Sequence, residues 1–207
     1  NSEGHAVYPT AALGVVFDYK NMKQTYFGGG KTDFGGRKQD DESKDGHSDD
    51  VTALCVSNDR KLVASGQNGQ KPLIFIWDAI TAENKGKKRM PKGCRLVTAI
   101  AFSPSGTYLA ASDAAEKITC YLFKVDGGVG KIAEAAINMK VVHVAFNPHD
   151  DLVFATAGKD HVCICNFDGK DKIKMTKGKS KGGKVESQCS ASFSTDPNFK
   201  TTLFTGG

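Results

Sequence analysis

The chain repeats itself, and the repeat limits its fold more than any local propensity does. Four segments align end to end: Val51–Val56 (VTALCV), Val97–Phe102 (VTAIAF), Val141–Phe146 (VVHVAF) and Gln188–Phe193 (QCSASF). Phe102 follows Val56 by 46 residues, Phe146 follows Phe102 by 44, and Phe193 follows Phe146 by 47. A period of roughly 20 to 50 residues marks an array of supersecondary units, each of which buries its apolar face only against its neighbours. Here the unit is built of hairpins. Each aligned run leads through a polar turn into a second apolar run: Ser57–Arg60 into Lys61–Gly66, Ser103–Gly106 into Thr107–Ser112, and Asn147–Asp151 into Leu152–Gly158. The turns carry Pro, Gly, Asn and Asp, while the runs are rich in β-branched and aromatic residues. A third run follows in each unit (Pro72–Trp77, Lys117–Phe123, His161–Phe167), then a more polar fourth such as Lys131–Ile137.

Three apolar strands and one polar outer strand, repeated at this period, make a blade of a WD-repeat β-propeller. Trp77-Asp78 is the WD dipeptide itself, and Asn166-Phe167-Asp168 takes the same place with Phe for Trp. The aromatic ring is expected to fill the gap between adjacent blades. Gly46-His47 matches the Gly-His that precedes an innermost strand, and Asp160 matches the aspartate that closes the turn before the third strand. These six positions (Gly46, His47, Trp77, Asp78, Asp160, Phe167) are read as structural, since an acid in such a turn ordinarily bonds its own backbone. The predicted fold is all-β: a partial propeller of three complete four-stranded blades (51–96, 97–140, 141–187) flanked by two incomplete ones (1–50 and 188–207). Propellers close with roughly 4 to 8 blades, and an open arc leaves strand edges unpaired. The chain, which lacks an initiating Met, is therefore expected to be a piece of a longer protein.

The N-terminal part carries a narrower signal. His5–Asp18 (HAVYPTAALGVVFD), then Gln24–Gly28 (QTYFG), then Gly46–Val51 (GHSDDV) resembles the entry to the propeller in the echinoderm microtubule-associated protein-like family. There a hydrophobic motif leads into a blade reading approximately HTAAVGVVY, FF and GHTDDI. The next blade, with Leu62–Gln67, Gly69, Pro72 and Ile74–Asp78 (IFIWD), is similar to the family's ATGQ, Gly, Pro, V-x-I-W-D pattern. The resemblance covers residues 5 to about 112; the remainder reads as generic blades. It implies that residues 1–50 hold the end of the hydrophobic motif and a partial first blade. A charged, Gly-rich insertion at 29–45 departs from the pattern, and the family's preceding coiled-coil and basic regions are not in this sequence.

Composition is ordinary for a globular domain, at 39% hydrophobic and 25% charged. No run approaches the roughly 18 apolar residues of a membrane helix, and Asn1–His5 has neither half of a secretory leader. The six cysteines fall mostly in strand-like runs without the paired spacing of a disulfide scaffold, and predict reduced, buried thiols in an intracellular protein. Cys163-x-Cys165 beside His161 lacks the second ligand pair a zinc site needs, so no metal or other cofactor is expected. Gly28–Gly30, Gly35 and Gly36 lack the following helix and Gly-Lys-Ser/Thr of a phosphate loop. The five histidines are scattered over different repeats, and no nucleophile pattern is present, so no catalytic residue is expected.

Charge supplies the candidate binding feature. The net charge of +5 is unevenly spread: residues 170–184 hold seven lysines (Lys170, Lys172, Lys174, Lys177, Lys179, Lys181, Lys184) and one acid, while 40–50 is mainly acidic around Ser43. Lysines without interleaved aromatics argue against nucleic acid and suit an acidic protein surface such as tubulin's. The resemblance thus implies a non-catalytic cytoskeletal scaffold that binds tubulin, microtubules, or axonemal or spindle proteins. Its expected location is the cytoplasm on microtubules, in a cilium, flagellum or spindle. The alternative is a WD-repeat adaptor of another class, serving ubiquitin ligation, trafficking or RNA–protein assembly.

Overall fold

The computed structural model describes residues 1–28, 46–115, 117–126, 128–179 and 185–207. Strands β1 (Ala6–Thr10), β2 (Leu13–Asp18) and β3 (Lys23–Phe27) form a three-stranded antiparallel sheet. Three four-stranded meanders follow: β4 (Val51–Val56) to β7 (Asn84–Arg89), β8 (Val97–Phe102) to β11 (Val129–Ala136), and β12 (Val141–Asn147) to β15 (Ile173–Lys177). Their middle strands are β5 (Leu62–Gln67) and β6 (Leu73–Asp78), β9 (Tyr108–Asp113) and β10 (Thr119–Val125), and β13 (Asp150–Gly158) and β14 (His161–Phe167). A hairpin of β16 (Ser190–Phe193) and β17 (Leu203–Gly206), joined through a single 3-10 turn at Pro197–Phe199, ends the chain. No helix among the described residues is long and apolar enough to cross a membrane.

The apolar core lies between the sheets rather than within any one of them, which is why middle strands such as β6 (LIFIWD) are apolar on both faces. Val16 and Phe27 of the first sheet pack with Val63, Phe75 and Trp77 of the first blade. Ile74, Ile76, Met90 and Cys94 on that blade's other side meet Val97, Leu109, Tyr121 and Phe123 of the second. Cys120, Leu122, Ala133 and Ile137 then meet Val141, Phe154, Cys165 and Phe167 of the third. Consecutive residues of one strand, Ile76 and Trp77 or Leu122 and Phe123, thus serve opposite interfaces, as the two-residue period of a strand requires. The outer strand β7 (NKGKKR) has solvent beyond it and is polar accordingly.

The inner strands share one irregularity. The pairing slips between Val51 and Ala53, between Val97 and Ala99, and between Val141 and His143, so each blade carries a β-bulge at the same place. The bulge fixes an equivalence: Gln67, Asp113 and Gly158 pair with Val51, Val97 and Val141 in turn. Polar contacts tie neighbouring units at one rim. Asp151 accepts from Ser105 N at 2.9 Å, and Asn147 Nδ2 donates to Lys200 O at 2.9 Å.

Candidate functional site

The residues singled out by the repeat converge in the first blade. Trp77 Nε1 donates to Ser65 Oγ at 2.9 Å, and His47 Nε2 lies 2.6 Å from the same oxygen. His47 Nδ1 lies 2.8 Å from Gln67 Oε1, and Gln67 Nε2 donates to Ser48 Oγ at 3.0 Å. An amide oxygen only accepts, so Nδ1 carries the proton and Nε2 accepts from the Ser65 hydroxyl. The order is self-consistent, and every buried polar atom in it is satisfied. Phe27 stacks flat on Trp77 with centroids 5.0 Å apart, and Phe27 and Phe75 meet the His47 ring edge-on. Burial drives the His47 pKa down to about 4, so the ring is neutral at physiological pH.

Two glycines let these parts approach. A Cβ on Gly14 would stand 2.5 Å from Trp77 Cζ2, and one on Gly46 would collide with Gly28 Cα. A serine–histidine contact can signal a nucleophile and its base. Here Ser65 is fully buried and its oxygen is held by two partners, so the arrangement is a clamp.

Asp78 works locally. Burial disfavours its charge, but bonds from Thr81 N and Ile80 N, each 2.9 Å long, outweigh this and lower its pKa. Asp168 does the same in the third blade, taking Lys170 N, Asp171 N and Lys172 N into one turn. The aspartate of the WD dipeptide therefore shapes the turn into the outer strand.

The other blades fill the Ser65 rung differently. Ser65 is opposite Phe75, Ala111 opposite Tyr121 and Thr156 opposite Cys163, while Trp77, Phe123 and Cys165 face Val63, Leu109 and Phe154. In the second blade the hydroxyl is gone, and Asp113 instead accepts from Thr119 N at 2.8 Å and Tyr121 Oη at 2.9 Å. Burial, with the Asp113 carboxylate beside it, pushes the Tyr121 phenol up. In the third blade Thr156 keeps the hydroxyl, but Cys165 stands where Trp77 would donate, and the polar neighbours of the buried oxygen are the weakly bonding thiols of Cys163 and Cys165. Phe167, matched to Trp77 by its place before an aspartate, lies two residues further along and meets Tyr108 edge-on at 5.8 Å. It does bridge two blades, one rung away from the tryptophan position. Asp160 is exposed with φ +57° and accepts only a 3.3 Å bond from Ser187 Oγ, joining loop to loop outside any buried network. Ser65, Gln67, Asp113 and Tyr121 were not singled out in the sequence. The signal for Ser65 is its place in the strand directly paired to the one ending in Trp77-Asp78.

Lys170 and Lys172 sit in the turn before β15, Lys174 and Lys177 on it, and Lys179 just beyond. All five are exposed. Ile173 and Met175 pack inward on the blade core, while Lys174 points to the opposite face. Lys181, Lys184, Ser43 and the Gly-rich loop of 29–45 lie outside the described residues. At roughly 3.3 Å per residue, Lys172 and Lys177 are about 17 Å apart, so the lysines form a stripe rather than a pocket.

The thiols are mostly interior: Cys94, Cys120, Cys163 and Cys165 are buried, and burial raises Cys94 and Cys165 to about 12. Cys94, in the connection between β7 and β8, is buried, whereas Cys189, just before β16, is exposed. Among the described residues, no group of three His, Cys, Asp or Glu side chains could hold a metal.

Bulged inner strands, inter-blade cores and the His–Ser–Trp clamp define a protein class: the chain is a segment of a WD-repeat β-propeller, and residues 42–78 and 89–118 match the WD40 family (WD domain, G-beta repeat). Within that class it is similar to the ciliary WD repeat-containing protein ctxp80 of Euplotoides octocarinatus, 40% identical over 86% of this chain and 25% of the relative. It is also similar to human echinoderm microtubule-associated protein-like 3 (33% identical, 60% of this chain, 15% of the relative) and to human echinoderm microtubule-associated protein-like 1 (28% identical, 80% and 20%). The resemblance drawn from the N-terminal motifs thus extends over most of the chain, which spans a quarter or less of these curated relatives.

Proposed function

We propose that the protein containing this chain is a non-catalytic cytoskeletal scaffold that binds microtubules, tubulin, or axonemal or spindle proteins through propeller surfaces. One observation carries the reading: 40% identity over 86% of the chain to a protein named for the cilium, joined by relatives named as microtubule-associated and as cilia- and flagella-associated. The local chemistry supports it. Neutral His47 and doubly bonded Ser65 are spent on holding the first blade together, and the thiols of Cys94, Cys120, Cys163 and Cys165 are buried. A propeller needs only rigid faces to bind, and binding residues concentrate on surfaces positioned by such a scaffold.

The test is the location of the tagged intact protein together with its co-pelleting with microtubules. Enrichment on cilia, spindle or cytoplasmic microtubules is expected. Absence from every microtubule structure refutes the proposal. Charge reversal at Lys174, Lys177, Lys179 and Lys181 asks whether the lysine stripe takes part, and unchanged pelleting removes it from the interface.

A further inference from the structure

The lysines of β15 are matched on a second outer strand. Residues 83–95, which span β7, contain Lys85, Lys87, Lys88, Arg89, Lys92 and Arg95 against the single acid Glu83. Residues 170–179 contain five lysines against Asp171. Together these two stretches carry more positive charge than the whole chain's +5, so the remainder is net acidic. Both are outermost strands of their blades, and β11 lies between them, packing against each. Two acids close to these strands are engaged by lysines, Glu83 by Lys85 at 2.9 Å and Glu134 of β11 by Lys131 at 2.6 Å, and Asp168 before β15 accepts from three backbone N–H groups. Among the described residues Lys87, Lys88 and Lys174 form no ion pair within 4 Å, and Lys172 lies close enough to Asp168 to help lower its pKa. Lys87 and Lys88 are half-buried, and they lie on opposite faces of β7, Lys88 beside Ile74 and Lys87 beside Phe75.

We infer that the basic strands β7 and β15, on either side of β11, form one belt around the rim of three blades, and that it binds an acidic, extended polypeptide segment. Lysines on an edge strand also discourage pairing with another sheet. That role needs a charge on each edge, and does not need four basic residues and no acid on one edge, a near-neutral edge beside it and a second basic edge beyond. A Glu-rich chain laid across the rim meets cations on both outer strands. Nucleic acid fits less well, because among the described residues no exposed aromatic accompanies these lysines to stack a base. The inference rests on the scaffold reading and names the chemistry of one of its partners.

The test uses the intact protein and a fluorescent 12-residue poly-L-glutamate, read by anisotropy at low salt, with a single-stranded DNA oligonucleotide in parallel. Binding of the polyglutamate is expected, weakening as salt screens the charges. Each of the pairs Lys87→Glu with Lys88→Glu, and Lys172→Glu with Lys174→Glu, is expected to weaken it about 3- to 10-fold, and the two pairs combined to weaken it further. The control pair Lys20→Glu with Lys23→Glu, on the first sheet, leaves it unchanged. Should the half-buried β7 pair disturb folding, Lys87→Gln with Lys88→Gln keeps the bulk and removes only the charge. Polyglutamate binding that ignores both pairs overturns the belt, as does tighter binding of the oligonucleotide through the same lysines. A protein that co-pellets with microtubules but does not bind polyglutamate overturns the belt alone. One that binds polyglutamate through the belt and never co-pellets keeps the belt and overturns the microtubule reading.

Discussion

The same rung is filled by Ser65 in one blade, Ala111 in the next and Thr156 in the third, which makes a controlled experiment on buried hydroxyls. Ser65→Ala removes an oxygen that accepts from Trp77 Nε1 and donates to His47 Nε2, leaving two buried polar atoms without partners. Each stranded group costs about 1–3 kcal/mol, so the substitution should destabilise by about 2–5 kcal/mol. Thr156→Val is nearly isosteric and removes a desolvated hydroxyl whose polar neighbours are only the weak thiols of Cys163 and Cys165. It should be neutral or stabilise by about 1 kcal/mol. Ala111→Ser in the second blade places a hydroxyl on the rung beside Phe123, which offers no donor, and should cost about 1–2 kcal/mol. Urea unfolding followed by circular dichroism, with the slopes compared to confirm that the unfolding transition is unchanged, gives all three values. A loss above about 1 kcal/mol for Thr156→Val would refute the reasoning, since it would mean that the hydroxyl has a stronger partner than those thiols.

Further outcomes follow from the same geometry. His47 has a folded pKa of about 4, depressed from an unfolded value near 6.5. The unfolded state therefore binds the proton first, and stability present above about pH 6.5 should fall by roughly 3 kcal/mol as pH drops to about 4. Urea midpoints between pH 4 and 7 should show this slope in the wild type and lose most of it in His47→Gln. Gly14→Ala puts a methyl group against the Trp77 ring and should cost about 1–3 kcal/mol by thermal unfolding, with a shift in tryptophan fluorescence. Asp78→Ala should cost about 1 kcal/mol through the lost turn bonds, while Asp78→Asn, which keeps an accepting oxygen, should cost less.

The period and the hairpin turns were legible because a strand between two packed sheets must be apolar on both faces, and runs such as LIFIWD are hard to read otherwise. The WD dipeptide pointed to Trp77 and Asp78 by type alone. Phe167 shows where that reading stops. It precedes an aspartate as Trp77 does, but β13 is nine residues long where β5 is six, so the turn lies further out and Cys165 takes the tryptophan rung. Strand length is set by pairing across the sheet, which one strand's sequence does not display. Ser65 and Gln67 escaped notice for a related reason: their role comes from His47, some 20 residues earlier, reaching over the strand. The belt on β7 was overlooked because its lysines are neighbours of the β15 lysines only across β11.

Because each core cluster joins two sheets, a blade's stability depends on the blade beside it, as in other repeat arrays. The first blade is held on one side by the Phe27–Trp77 stack and on the other by Phe123 and its neighbours, so loosening Trp77 weakens the interface with the first sheet before the interface with the second blade. The outer strands contribute least to these clusters. Their sequences are correspondingly free to carry charge, and β7 and β15 have become strongly basic while β11 has not. The inner strands therefore fix the spacing of the rim, and the outer strands decide what the rim attracts.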